Sequence, residues 1–172
     1  MDLREKVTEA LGGLEKLVAK IPGYQGYKEK EMRREADKLL RELLARQFEE
    51  QRRSITNLQK QLIDSRQVLL LDDLESGVMK LQYLIDRLKT ASYGYAGFFD
   101  AVKVKEKQLD ALYEFDNALL DEVPKVADAI NKVSTAISAK EGVVEAVADL
   151  VSTIQGVNET FNKRQDVILQ AS

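Results

Sequence analysis

Apolar residues recur at alternating intervals of three and four along most of this 172-residue chain. That period puts them on one stripe of an α-helix; a strand would need alternation every second residue. Leu3, Val7, Ala10, Leu14 and Leu17 form the first stripe, predicting a helix over about 2–20 that Pro22 and Gly23 end. Gly12-Gly13 inside it weakens it by about 1 kcal/mol per glycine relative to alanine. A second, longer helix is expected from about Lys28 to Asp64. Its line starts Met32, Ala36, Leu39, Leu43, then slips by one residue to Leu44, Phe48, Gln51, Ile55, Leu58 and Leu62. Opposite charges four apart, Glu29–Arg33, Asp37–Arg41, Glu42–Arg46 and Glu49–Arg53, predict a solvated outer face. A helix of this length is about 55 Å long, which suits an elongated bundle better than a compact globule.

No glycine or proline marks where the second helix gives way to a third. Asp72-Asp73-Leu74-Glu75 has capping-box spacing and predicts the break there, followed by Leu74, Val78, Leu81, Ile85 and Leu88. A fourth helix from near Asp100 to about Ile137 carries Leu109, Leu112, Leu119, Val123, Ile130, Val133 and Ile137. Pro124 either kinks that helix or restarts it. Ser138-Ala139-Lys140-Glu141, again with capping-box spacing, and Gly142 predict a turn. Beyond it a fifth helix, about 140–170, shows Val143, Val147, Leu150, Ile154, Val157, Phe161 and Ile168. The same periodicity also permits one unbroken helix over 104–170. The fold class is all-α: an elongated antiparallel helical bundle, coiled-coil-like, of about five helices in a single domain over 1–172.

The chain has no His and no Cys. Disulfides, thiolate nucleophiles, His-based acid–base chemistry, zinc sites of Cys/His type and di-iron sites built on Glu-x-x-His are therefore excluded. Asp72, Asp73 and Glu75 offer carboxylates for Mg²⁺ or Ca²⁺, but acidic residues at a helix start serve the helix dipole equally well. No Walker-type loop and no Gly-x-Ser-x-Gly elbow occurs. Ser138 and Lys140, two apart, would not face each other on a helix. The expectation is no catalytic residue, no metal and no cofactor.

The net charge is −3, and the basic doublets Arg33-Arg34 and Arg52-Arg53 have acidic neighbours, so no nucleic-acid partner is expected. Residues 1–68 carry 15 Lys and Arg against 12 Asp and Glu; the remainder carries 11 against 17. The halves are thus of opposite sign and could attract each other or one another's copies. No run of apolar residues is long enough to span a membrane, and the opening MDLREK lacks a signal-peptide core. The expected location is cytoplasmic, with a peripheral membrane site as the variant.

One motif breaks the helical monotony. Gly23-Tyr24-Gln25-Gly26-Tyr27 returns 71 residues later as Gly94-Tyr95-Ala96-Gly97-Phe98. The stripe from Leu74 to Leu88 repeats that from Leu3 to Leu17 at the same interval. Two readings stand: a pseudo-repeat, 2–64 and 73–137, plus the C-terminal helix 140–170, or amphipathic helices that converge on the same turn, since any two such helices can be slid into register. Tyr24, Tyr27, Tyr93, Tyr95, Phe98 and Phe99 are the candidate binding residues. Folded inward, they would plug the bundle ends. Left exposed, they would make an aromatic patch edged by Lys20, Lys28, Lys30, Lys89 and Lys103 for a protein or a lipid interface.

IPGYQGYKEKEMRREADKLLR (21–41), ASYGYAGFFDA (91–101) and FNKRQDVI (161–168) resemble a family of bacterial all-helical proteins with no assigned activity. The resemblance spans most of the chain. It implies a bacterial helical protein and carries over no catalytic or binding residue. The leading expectation is a non-enzymatic interaction or scaffold protein, with a protein partner or self-association. The alternatives are a peripheral membrane protein using its Gly-aromatic turns, and a ligand-binding or enzymatic bundle with an internal pocket.

Overall fold

The apolar stripes of the sequence become four long helices in the computed structural model, which describes residues 16–23, 30–91 and 106–170. They are α1 (Lys30–Asp64), α2 (Leu71–Thr90), α3 (Glu106–Ala139) and α4 (Val143–Gln170). Residues 16–20 are also helical. With 35 residues, α1 spans about 52 Å. Every named position of the stripe from Val143 to Ile168 is buried, as are Leu74, Leu81, Ile85 and Leu88 of α2 and Phe48, Ile55, Leu58 and Leu62 of α1.

The helices within each hairpin, α1 with α2 and α3 with α4, run antiparallel, as expected of short connections. Glu49 pairs with Lys89 and Gln59 with Glu75, so α1 rises as α2 descends. The two hairpins then lie side by side with like directions adjacent. Gln51 Nε2 donates to Val123 O at 2.6 Å and Ser134 Oγ to Gln61 Oε1 at 3.1 Å, so α1 and α3 are parallel. Lys80 Nζ donates to Gln155 Oε1 at 2.9 Å and Arg87 Nη2 to Gln165 Oε1, so α2 and α4 are parallel too. Both tight turns therefore sit at one end of the bundle.

The alternative of one helix over 104–170 is settled in favour of a hairpin: α3 ends at Ala139 and α4 begins at Val143. Neither expected capping box forms. Ser138 Oγ donates back to Ser134 O inside α3. The N-cap of α2 is Leu70, with no side-chain cap bond, and Asp72 and Asp73 fall in its first turn. The turns are built instead from the C-terminal side. After α3, Lys140 N donates to Ile137 O and Glu141 N to Ala136 O; after α1, Arg66 N donates to Ile63 O and Gln67 N to Leu62 O. These are Schellman pairs, and the residue each places in the left-handed region is Lys140 (φ 57) or Arg66 (φ 62). A 3-10 turn, Val68–Leu70, completes the first connection.

Pro124 lies within an unbroken α3 and does not restart it. The early helix stops as expected, with Ile21 N bonded to Leu17 O at 2.9 Å and Gly23 at φ 82. Leu17 and Ile21 are buried, and Lys20 pairs with Asp121 of α3 at 2.7 Å. No helix among the described residues is long and apolar enough to cross a membrane.

The solvated-face reading is overturned for one pair. Asp37 and Arg41 are buried, at 2 % and 6 % exposure. The spacing of four is real, with Arg41 Nε 2.7 Å from Asp37 Oδ2, but the pair faces inward. It can do so because Arg164 and Asp116 meet it there. Arg164 Nη2 lies 2.6 Å from Asp37 Oδ1 and Arg164 Nε 2.6 Å from Asp116 Oδ1. Arg41 Nη1 also donates to Leu88 O at 2.9 Å. Among the described residues, two cations and two anions thus meet in the interior, and the bond to Leu88 O brings in α2, so that all four helices are joined.

Candidate interaction surface

The six candidate aromatics, Tyr24, Tyr27, Tyr93, Tyr95, Phe98 and Phe99, lie outside the described residues. Of the lysines expected around them, Lys20 and Lys89 are each held in an ion pair, with Asp121 and Glu49. The hydrogen bond and charge of Lys89 keep the Glu49 carboxyl below its ordinary pKa. Among the described residues no group of three or more side chains could hold a metal ion. Asp72, Asp73 and Glu75 are exposed at the start of α2, and Glu75 Oε2 accepts from Gln59 Nε2.

What the described residues do assemble is a groove of about 590 Å³ between α2 and α4. It lies where these parallel helices meet, above the contact of buried Gly77 with Ile154 and Val151. Along the α2 wall run Glu75, Met79, Tyr83 and Arg87, spaced by four and hence in one row. Met79 and Tyr83 are 65 % and 60 % exposed, large apolar surfaces on a helix whose opposite face is already buried.

Arg87 closes one end. Its guanidinium lies 5.0 Å from the centre of the Tyr83 ring and 4.7 Å from that of the buried Phe161 ring, and it donates to Gln165 Oε1. Stacking of this kind holds both the cation and the tyrosine in fixed orientations. Asn158 of α4 contributes to the other wall. Its Nδ2 donates to Lys80 O at 3.2 Å and to Ile154 O at 3.3 Å, and because carbonyls only accept, the amide orientation is determined. Its Oδ1 is buried and has no hydrogen-bond partner among the described residues.

A second exposed apolar group, Ile63, Val68 and Leu69, caps the turn end. The buried network of Asp37, Arg41, Asp116 and Arg164, two cations and two anions among the described residues, ties helices together in the interior. The groove row was absent from the sequence expectations. Its signal was available: Met79 and Tyr83 stand off the stripe that α2 buries and share a face with an acid on one side and a base on the other. No family model, curated protein or solved structure matches this chain.

Proposed function

We propose that this protein is a non-enzymatic interaction or scaffold module whose docking face is the groove between α2 and α4. The observation that supports this is the exposure of Met79 and Tyr83 side by side in a concave site. Adjacent large apolar side chains are what a docking site needs to gain from desolvation, and an ordered Tyr–Arg stack is a common anchor. The groove walls carry amides and charges that orient a partner without an evident nucleophile–base pair.

The test is affinity capture from the native host with the wild-type chain and with a Met79→Ser/Tyr83→Ser variant. Both positions are exposed, so helicity by circular dichroism should be unchanged. The expected result is loss of specific captured proteins, or of the chain's own copies, in the variant alone. Identical capture by both sinks the reading, and a loss seen only with Tyr24→Ser/Tyr95→Ser moves the docking face to the Gly-aromatic turns.

A further inference from the structure

Resting on that reading, we propose that the occupant of the α2–α4 groove is α2 of a second copy of this chain, docked antiparallel across a two-fold axis that passes between the exposed Met79 and Tyr83. The row Glu75, Met79, Tyr83, Arg87 is self-complementary under that operation. With the axis midway between Met79 and Tyr83 on the exposed face, Glu75 of each copy meets Arg87 of the other, and Met79 of each meets Tyr83 of the other. An isologous interface needs this property, because every contact between residues i and j must recur as j and i.

The charge distribution of α2 fits at the scale of the whole helix. Asp72 and Asp73 occupy its first turn and Arg87 and Lys89 its last. Antiparallel docking brings the acidic start of one helix beside the basic end of the other. Helix-dipole complementarity explains acids at the start and bases at the end of any helix. It does not explain why the interval between them holds an exposed methionine and an exposed tyrosine on the same face as Glu75 and Arg87. The row covers 12 residues, about 18 Å, enough for more than three turns of helix–helix contact. Rows of residues four apart are the ridges through which two helices most often interlock. Ser76, opposite Asp86 of the other copy in this register, adds a hydrogen-bonding pair.

Charge reversal tests both partner and register. The wild-type chain should show a dimer mass by light scattering at up to about 100 μM, the range of weak dimers. Glu75→Arg places two cations opposite each other at both ends of the interface, and Arg87→Glu places two anions there. Each alone should weaken self-association on the order of tenfold. An equimolar mixture of the two variants should restore a dimer, because every contact then joins Arg to Glu. This restoration also shows that Arg87→Glu, which gives up the stack on Phe161, still folds. A wild-type monomer throughout the range, variants that dimerise like wild type, or a mixture that stays monomeric overturns the proposal. If the wild type is monomeric but Met79→Ser/Tyr83→Ser still loses captured proteins, self-association falls and the docking reading stands.

Discussion

Arg164 Nε sits 2.6 Å from Asp116 Oδ1 with both side chains withdrawn from solvent, and the same guanidinium reaches Asp37 from its Nη2. One side chain of α4 therefore satisfies carboxylates on α1 and α3 at once. Burying these ions costs several kcal/mol each, which their mutual contacts offset only while every member is present.

Removing Arg164 alone should be severe. Arg164→Met fills much of the volume but takes from Asp37 and Asp116 the guanidinium that both bind, leaving the buried charges unbalanced among the described residues, and the expected loss is about 3–5 kcal/mol of unfolding free energy. Replacing Asp37, Arg41, Asp116 and Arg164 together with apolar side chains of similar size should recover most of it. Urea denaturation of both variants is the measurement. A loss below about 1 kcal/mol for Arg164→Met would mean that water reaches the site and screens the carboxylates.

The turn residues lead to a gain. Arg66 and Lys140 hold left-handed backbone angles in Schellman turns where glycine is the usual occupant. That conformation strains a residue bearing a Cβ by about 1–2 kcal/mol, partly offset in glycine by the greater freedom of its unfolded chain. Arg66→Gly and Lys140→Gly should each stabilise the protein by roughly 0.5–1 kcal/mol, or a few degrees in Tm for a chain of this size. Lys140→Val should do the opposite. An unchanged Tm in both glycine variants would show that the basic side chains compensate by interacting with the preceding helix ends.

The same turns explain what could and could not be read from the residues. The stripes of α2 and α4 were legible because Leu, Ile and Val at helical spacing have few other uses. The first turn was misplaced towards Asp72 because the residue that stops α1 is an arginine, and arginine carries no stop signal. The charged core was hidden for a related reason. Asp37 and Arg41, four apart, look the same in sequence on a solvated face as on a buried one. Yet the gaps in the predicted stripes held the clue: Asp116 stands between Leu112 and Leu119, and Arg164 between Phe161 and Ile168, each at a core position. Two opposite charges at otherwise apolar positions on different helices are the pattern of an interior ion pair. The direction in which the hairpins pack was not legible, since the stripes do not say which neighbour they face.

Gly77 controls the approach of α2 to α4. A Cβ built there meets Ile154 Cδ1 at 3.4 Å and Val151 Cγ2 at 3.7 Å, which is ordinary contact. Alanine also gains about 1 kcal/mol of helix propensity over glycine. Gly77→Ala should therefore be neutral to stabilising by up to about 1 kcal/mol. Gly77→Leu should force the helices apart at a cost of about 1–3 kcal/mol and reshape the groove. Thermal unfolding of the two variants checks the order, and a destabilised alanine variant would mean that α4 cannot shift by even a few tenths of an ångström.

The Glu49–Lys89 pair carries a pH dependence whose sign follows from its geometry. Lys89 Nζ donates to Glu49 Oε1 and lowers the carboxyl pKa in the folded chain below its ordinary value. A carboxyl depressed on folding contributes stability that is present above its unfolded pKa and is lost as pH falls through the folded one. The pair joins α1 to α2 at the surface, with the Glu49 side chain 31 % exposed, so the effect is small and weakens with salt. The difference in unfolding free energy between wild type and Glu49→Gln should be positive near pH 7. It should shrink between about pH 5 and pH 3, where the carboxyl becomes protonated. Adding Lys89→Met to the Glu49→Gln variant should leave that pH dependence unchanged. A wild-type advantage that persists below about pH 3 would show that Glu49 acts through packing rather than through its charge.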